Sequence, residues 1–279
     1  GLQIMRFITI TNVIARTISV ICIFLFVKSS DQVLLYSFLY TITFLINGLM
    51  GFGLVTIKFR YRLRKVTINE IKEELRDGWY TFTTAIMTKI FTGIGVTILG
   101  YYGTDKDVGI YSAIQKIPQI MVLFFEPIGK IIYPYISVEF QKSLELGISK
   151  IKKIGIPVVI CFCGLGALIV CFSKPIILLI YGQEYVAYSN LVLPLILWLV
   201  LSITNNFLGI QILVGSGHLK EYSQAFRIGV LAIIICNFFM GKFYTLDGIA
   251  IASFVSEGIL TLVLCVKIHK IRKENKRNE

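Results

Sequence analysis

The sequence predicts an all-α membrane protein, a polytopic bundle of about eight transmembrane helices, and three observations lead to this fold class. Hydrophobic residues make up 56% of the 279 residues, and the mean hydropathy is +0.77. Only 16% of the residues are charged, which is few for a soluble domain of this size. Apolar stretches near the roughly 20 residues that cross a bilayer recur along the whole chain.

Each predicted span is an apolar run bounded by polar or turn-forming residues. Two runs lie before the most polar connection of the chain, and the others lie after it. The predicted spans are residues 7–27, 33–57, 79–101, 108–136, 154–173, 190–213, 224–243 and 249–268. Together they leave no stretch long enough for a separate soluble domain.

Two polar connections between the spans have amphipathic character. Residues 58–78 are rich in basic side chains and end in IKEELRDG, and residues 142–153 read KSLELGISKIKK. Charged residues on one helical face and apolar residues on the other are typical of a helix that lies in the membrane interface. We therefore expect each segment to form a short interfacial helix outside the neighbouring spans.

Positive charge is distributed unevenly between the two faces of the predicted bundle. The chain has 28 Lys and Arg against 16 Asp and Glu, a formal net charge of +12. One set of alternate connections carries 20 of the 28, namely Arg6, seven in residues 58–76, four in 142–153, Lys220, Arg227 and six in 267–277. The opposite face carries four, which are Lys28, Lys106, Lys174 and Lys242. The positive-inside rule therefore places both chain ends in the cytoplasm, and we expect the basic segments to contact anionic lipids rather than nucleic acid.

Motifs for enzyme chemistry, metals and cofactors are weak. Asp105-Lys106-Asp107 resembles the D-x-D of metal-dependent glycosyltransferases, but its connection is too short for a nucleotide-binding fold, so a solvated turn is favoured. The six cysteines lie within predicted spans, and His218 and His269 have no ligand-like neighbours. We therefore predict no catalytic residue, no metal and no cofactor.

Four predicted spans each carry one ionisable side chain near the middle of the bilayer, and these are Arg16, Lys89, Lys116 and Glu257. At 1.5 Å per residue, each lies about 12–15 Å from the start of its span. A lone charge at this depth costs about 2.5–3.5 kcal/mol or more, so it is expected to face a partner or a water-filled cavity. Three cations and one anion leave net positive charge, which suits an anionic ligand.

The fourth span combines charged residues with prolines. Lys116, Glu126 and Lys130 fall within about 80° of one another at 100° per residue, so they form one polar stripe. Glu126 and Lys130 are i,i+4 and are expected to pair. The prolines of this span free backbone carbonyls, which water or side chains can satisfy in a cavity and which lipid cannot. The stripe is therefore predicted to line a cavity.

More than one role is open for several of these residues. Lys130 lies near the cytoplasmic end of its span and is expected to snorkel to the interface, with a place in the cavity as the alternative. Arg16 and Glu257 are equally compatible with a buried structural pair and with a transport role. Lys89 and Lys116 lie too deep to snorkel easily and have too few carboxylates to neutralise both, which favours function.

Four stretches carry a resemblance to a known family. They are VGIYSAIQKI with the later YPYIS, KPIILLIYGQEYVAYSNLVLPLIL, GIQILVGSGHLKEYS, and LDGIAIASFVSEGILTLVL. In this order and spacing they resemble the Wzx polysaccharide (O-antigen) flippases, within the multidrug/oligosaccharidyl-lipid/polysaccharide exporter superfamily. The resemblance covers essentially the whole chain.

The resemblance implies an architecture. These flippases have twelve helices in two six-helix lobes around a central cavity, so we expect this chain to be the C-terminal part of such a transporter. Residues 1–57 would supply the last two helices of an incomplete N-terminal lobe and residues 58–78 a cytoplasmic basic linker. Residues 79–268 would form the six-helix C-terminal lobe and residues 269–279 a cytoplasmic basic tail.

The resemblance also implies a substrate and a location. Such flippases move an undecaprenyl-pyrophosphate-linked oligosaccharide to the periplasmic leaflet of the bacterial cytoplasmic membrane, and cationic cavity residues bind the pyrophosphate and sugar. The inward basic position of the YSAIQK stretch is Lys116 here. We expect as partners the lipid-linked oligosaccharide, membrane lipids and other polysaccharide assembly proteins. The predicted substrate-binding residues are Lys89, Lys116, Arg16 and Lys130, and the residues predicted for ion coupling or charge pairing are Glu126 and Glu257.

Two alternative functions remain. A membrane polysaccharide polymerase would need a large extracytoplasmic loop with paired catalytic groups, whereas the longest such loop, near residues 174–189, is short and its charged residues are Lys174 and Glu184. A multidrug-type exporter of the same superfamily would favour acidic cavity residues for cationic drugs, whereas the predicted cavity is net basic.

Overall fold

A computed structural model of the chain describes residues 5–29, 31–53, 56 and 67–278. Every regular element in these ranges is helical, which confirms the predicted all-α class. Contacts divide the chain into two compact units, Gly1–Asp77 and Gly78–Glu279.

The first unit contains a helical hairpin. It is formed by α1, Met5–Phe26, and α2, Val33–Gly53, which are both apolar. Two hydrogen bonds set their antiparallel register: Asn47 Nδ2 donates to Asn12 Oδ1 at 2.7 Å, and Ser19 Oγ donates to the carbonyl of Leu39 at 3.2 Å. Interhelical bonds of this kind satisfy polar groups that lipid would leave without a partner.

α3, Ile68–Tyr102, is followed after a short turn by α4, Asp105–Lys142. The turn ends at a capping box in which Thr104 Oγ1 accepts from the Asp107 backbone N–H, and Asp107 Oδ2 accepts from the Thr104 backbone N–H. Asp107 of the D-x-D motif therefore caps α4, and the motif forms the first turn of this helix rather than the predicted solvated turn.

The two predicted interfacial helices are wrong. Residues 68–78 form the first turns of α3, and residues 144–153 form the first turns of α5, Leu144–Cys171. Neither junction contains a proline, so each amphipathic segment continues as helix into the apolar run that follows. Residues 58–66 of the predicted linker lie outside the described residues.

Short elements connect α5 to the next long helix. α6, Ser173–Tyr181, ends at Gly182, whose φ of 90° suits glycine, and α7, Gln183–Val186, and a 3₁₀ turn follow. α8, Val192–Asn205, then continues into a π-helical stretch, Asn206–Val214, which we call the π segment.

α9, Leu219–Asn278, consists of two antiparallel helices. Thr245 has φ 43° and ψ −116°, which interrupts the helix. A Cβ atom placed on Gly229 would lie 3.2 Å from Leu260 Cδ1, although the two residues lie on opposite sides of Thr245 in the chain. The two halves therefore form a hairpin and match the predicted spans 224–243 and 249–268.

Several of these helices can cross a bilayer. Among the described residues, five are long and apolar enough, namely Val33–Gly53, Asp105–Lys142, Leu144–Cys171, Ser189–Val214 and Leu219–Asn275. Ile10–Phe26 is a shorter apolar helix. The chain is accordingly a multi-pass membrane protein, and its predicted orientation stays a prediction.

The core of the second unit lies between α4, α5 and α8. Phe125 of α4 meets Phe162 of α5 and Phe207 of the π segment edge to face, with ring centroids 5.9 and 5.7 Å apart. Side chains with less than 2% exposure include Tyr111, Ile114, Leu195, Leu199 and Ile203. This packing holds the apolar side of α4 and leaves its polar stripe uncovered.

Candidate functional site

The polar stripe of α4 is exposed at each charged position. Lys116, Glu126 and Lys130 are all exposed, whereas neighbouring positions such as Phe125 are buried. Lys130 Nζ lies 3.4 Å from Glu126 Oε2, which confirms the predicted i,i+4 pair. Their side chains are 78% and 51% exposed, so the pair contributes about 0–1 kcal/mol at most and chiefly balances charge.

Lys89 and Lys116 lie at similar depth on consecutive antiparallel helices. Lys89 is 13 residues before the end of α3 at Tyr102, and Lys116 is 11 residues after the start of α4 at Asp105. At 1.5 Å per residue, their depths differ by about 3 Å. A Cβ atom placed on Gly95 of α3 would lie 3.0 Å from Ile249 Cγ2 of α9 and 3.8 Å from the Tyr111 hydroxyl of α4, so this part of α3 lies against α9 as well as α4.

Neither lysine has an anionic partner in the described part of the chain. Both side chains are exposed, and no hydrogen bond or ion pair joins the ammonium group of Lys89 or Lys116 to a described residue. An ammonium group near the bilayer midplane without a counter-charge is costly. Lys89 of α3 and Lys116 of α4 are therefore two cations available to bind an anionic ligand.

A cavity of about 520 Å³ opens beside the same stripe, closer to the C-terminal end of α4. It lies between α4 on one side and α8 with the π segment on the other. Its apolar walls are Val122, Phe125, Ile203, Ile210 and Val214. Its polar lining consists of Glu126, Lys130, Tyr133, Ser202, Asn206 and Gln211. Because Lys130 lines this wall, the structure brings Glu126 and Lys130 to the cavity, while Lys116 lies farther along the stripe.

Neutral amides form the part of the site that the sequence reading missed. Gln211 is 1% exposed, and its Nε2 donates to the Gly129 carbonyl at 3.0 Å and approaches Asn206 Oδ1 at 3.4 Å. In an α-helix, side chains five residues apart point about 140° away from each other. The π geometry is what brings Asn206 and Gln211 together. Amides in an otherwise apolar span were the available signal.

Glu257 is held in a network behind the cavity wall. It is 3% exposed, and Asn205 Nδ2 donates to its Oε2 at 2.5 Å and to its backbone carbonyl at 3.1 Å. Thr261 Oγ1 donates to Asn205 Oδ1 at 2.8 Å. Ser202, which lines the cavity, lies near the Glu257 carboxyl group. Within its own unit, Glu257 is therefore partnered by neutral groups, and pairing with Arg16 stays a prediction.

Arg16 lies in a separate groove of the first unit. This groove, of about 330 Å³, runs between α1 and α2, and its lining includes Asn12, Arg16, Tyr36, Tyr40 and Asn47. The rings of Tyr36 and Tyr40 stack with centroids 6.2 Å apart. Arg16 is exposed and, among the described residues of its unit, has no hydrogen-bond partner. The groove offers a cation, amides and aromatic rings to a polar ligand.

The described residues supply binding groups rather than a reactive centre. They contain no group of three or more His, Cys, Asp or Glu that could hold a metal. All six cysteines are free thiols. The chemistry open to this arrangement is the non-covalent binding of an anion by the lysines and of a polar molecule in the cavity.

Known proteins similar to the chain are named as transporters. Two proteins named putative O-antigen transporter match 95% of it: one from Escherichia coli (strain K12), 23% identical over 269 residues, and one from Shigella dysenteriae, 25% identical over 275 residues. The chain spans 64% and 66% of the lengths of these relatives.

The fold is also that of a solved flippase. The structure titled lipid II flippase MurJ, inward closed conformation, matches with a TM-score of 0.78 at 19% identity, over 94% of this chain and 56% of that one. A family profile described as polysaccharide biosynthesis protein matches residues 1–140, half of the 279 residues. On this match, the chain belongs to the polysaccharide biosynthesis protein family.

Proposed function

We propose that the protein transports a lipid-linked oligosaccharide, an undecaprenyl-pyrophosphate-linked O-antigen or capsule repeat unit, from the cytoplasmic to the periplasmic leaflet of the bacterial cytoplasmic membrane. The observation that carries the proposal is the pair formed by Lys89 and Lys116. Both lie at similar depth on the consecutive helices α3 and α4, and neither has a counter-charge in the described part of the chain.

A pyrophosphate supplies the missing counter-charge. Two ammonium groups offer compact positive charge to phosphate oxygens, and each contact is a charge-assisted hydrogen bond. The depths of Lys89 and Lys116 differ by about 3 Å, so both lysines lie at the level of one pyrophosphate group in the membrane. The lysines bind the charged head of the carrier lipid. The polar stripe of α4 gives this head a polar path across the membrane, which the hydrocarbon of the lipid tails does not provide.

The similarity to named transporters supports the same function. Two relatives are named putative O-antigen transporter, and the fold is that of a protein named lipid II flippase. This chain spans about two thirds of the length of those relatives, and transport is proposed for the protein as a whole. Membrane lipids and other polysaccharide assembly proteins are its proposed partners.

The remaining charged residues receive secondary roles under this proposal. Arg16 adds a cation in the groove of the first unit, and Lys130 contributes to the cavity wall with its charge balanced by Glu126. Glu257, in its network with Asn205, is the proposed group for ion coupling or charge pairing. When Lys89 and Lys116 are included, four cations stand against two anions, and this net positive charge favours a pyrophosphate-linked substrate over a cationic drug.

Complementation of a transporter-deletion strain tests the proposal. Cells carry the full-length protein with Lys89→Ala or Lys116→Ala, and surface polysaccharide is measured at equal protein levels. We expect each alanine variant to lose at least about tenfold, because one charge-assisted contact of about 1.5–3 kcal/mol is removed.

Matched variants separate charge from general damage. Lys116→Arg is expected to keep most of the export because it keeps the charge. Lys106→Ala removes an exposed lysine at the start of α4 and is expected to export normally. Normal export by both Lys89→Ala and Lys116→Ala would refute the pyrophosphate assignment.

A further inference from the structure

The hydroxyl group of Tyr181 ties α6 to α4. Tyr181 Oη donates to the carbonyl oxygen of Ala113 at 2.7 Å, although the two residues lie 68 positions apart in the chain. Tyr181 is the last residue of α6, and Ile177, one turn earlier, is fully buried in the core. The ring of Tyr181 also packs against that of Tyr185, with centroids 5.5 Å apart. The core and the aromatic pair therefore hold the hydroxyl group in place beside α4.

The carbonyl that Tyr181 binds belongs to a weakened turn of α4. Pro118 lies inside this helix and has no N–H group, so the carbonyl of Ile114, the residue after Ala113, lacks its helical donor. Helices bend most readily at such positions. Among the described residues, Tyr181 is the one whose side chain donates to a carbonyl of residues 111–118. The bond from Tyr181 therefore helps to fix the backbone of the turn that precedes Pro118.

The same turn carries Lys116. This lysine comes three residues after Ala113 and two residues before Pro118. Residues three apart are neighbours on a helix surface, about 4.5 Å apart along the axis. The Lys116 side chain is exposed, and no hydrogen bond or ion pair joins its ammonium group to a described residue. Because no such bond fixes the ammonium group, the backbone of this turn decides which positions the group can reach.

We infer that Tyr181 is a positioning residue for anion binding: its hydroxyl group holds the turn of α4 that carries Lys116, without touching the anion itself. This inference rests on the proposed function, in which Lys116 binds the pyrophosphate. Binding groups are most effective when hydrogen bonds behind them restrict their positions. Without the bond from Tyr181 to Ala113, the turn samples more positions, and ordering it again on binding costs affinity.

Tyr181→Phe removes the hydroxyl group and keeps the ring against Tyr185. Binding of inorganic pyrophosphate to the purified full-length protein is measured by calorimetry. We expect Tyr181→Phe to weaken this binding about threefold, the effect of one neutral hydrogen bond, which is less than the roughly tenfold loss expected for Lys116→Ala. Thermal unfolding reports whether the variant is folded, and its midpoint is expected to fall by about 4 °C or less.

Tyr185→Phe is the matched control. It makes the same substitution in the other member of the aromatic pair, four residues later in the chain. Within the described part of the chain, the Tyr185 hydroxyl group has no hydrogen-bond partner. We therefore expect Tyr185→Phe to bind pyrophosphate like the wild type.

A double-mutant cycle separates positioning from a general effect on the fold. When Lys116→Ala is already present, adding Tyr181→Phe is expected to change pyrophosphate binding less than about 1.5-fold, because no ammonium group remains to be positioned. When Lys89→Ala is present instead, Tyr181→Phe is expected to weaken binding about threefold, as it does in the wild type. A hydroxyl group that only supported the fold would weaken binding equally in both backgrounds.

Three results overturn the positioning role and leave the proposed function standing. They are wild-type binding by Tyr181→Phe, an equal loss in Tyr181→Phe and Tyr185→Phe, and an undiminished effect of Tyr181→Phe when Lys116 is absent. A fall in the unfolding midpoint well beyond about 4 °C also counts against the role, because the hydroxyl group would then hold the fold rather than the lysine. A wild-type protein that does not bind pyrophosphate refutes the proposed function itself.

Discussion

Replacing Asn205 by leucine is predicted to destabilise the second unit by about 2–3 kcal/mol. The asparagine makes three hydrogen bonds from α8 to α9: two donated to Glu257, at 2.5 and 3.1 Å, and one accepted from Thr261 at 2.8 Å. Bonds between membrane helices are worth about 0.6 kcal/mol on average, so three give about 2 kcal/mol. The Glu257 carboxyl group, 3% exposed, also loses a donor, which adds to the loss.

Asn190→Leu is the matched control. Asn190 Nδ2 donates to Asp247 Oδ1 at 2.9 Å, which also joins a residue near α8 to α9, but this single bond is exposed. We expect Asn190→Leu to cost less than about 1 kcal/mol, because water replaces the lost partner. The same substitution thus distinguishes a buried network from an exposed contact.

Reversible unfolding in detergent micelles, followed by circular dichroism over a denaturant series, measures both effects. The double variant Asn205→Leu/Glu257→Leu is expected to recover part of the loss, because it removes the buried polar group that the single variant leaves behind. If Asn205→Leu is as stable as Asn190→Leu, the network does not hold α8 to α9 and the reasoning is wrong.

The remaining predictions concern packing, charge and topology. Gly166→Ala should lower the free energy of unfolding by about 1–3 kcal/mol, because the new Cβ atom would lie 2.6 Å from a side-chain carbon of α8. Gly164→Ala is the control: no atom lies within 4 Å of its Cβ position, so it should be neutral or slightly stabilising. The same unfolding series compares the two variants. Lys130→Ala should retain surface polysaccharide in the complementation assay, because it removes one exposed partner of a weak pair, and a loss as large as that of Lys116→Ala would contradict this. A cysteine at Arg277 should resist an impermeant external reagent in whole cells, since 20 of 28 basic residues lie on the predicted cytoplasmic face, and labelling without permeabilisation would reverse the topology.

Composition was enough to predict the all-α membrane class. Long apolar runs have one stable form in lipid, the helix, because it satisfies its own backbone, so the class followed from hydropathy. The pair between Glu126 and Lys130 followed from their i,i+4 spacing. The residues at which the helices begin could not be predicted from the sequence. The turns that open α3 and α5 are amphipathic but contain no proline, so they continue into the long helices rather than forming separate ones.

The amide groups of the site could not be predicted from the pattern of charged residues. Asn205, Asn206 and Gln211 are neutral and lie in one apolar span, and their partners come from distant parts of the chain. Gly129 and Glu257, for example, lie 82 and 52 residues away from the amides that they contact. The π segment rotates Gln211 relative to α-helical geometry, and no feature of its sequence announces that rotation.

The central claim is tested most directly by measuring which leaflet of the membrane holds the lipid-linked oligosaccharide. Spheroplasts of the deletion strain, carrying the full-length wild type or the Lys89→Ala/Lys116→Ala double variant, are treated with an external glycosidase that cleaves the accumulated saccharide. With the wild type the saccharide should be cleaved, because it has reached the outer leaflet, and with the double variant it should stay protected at equal protein levels. Equal cleavage in both strains would contradict the account, because transport would then proceed without Lys89 and Lys116.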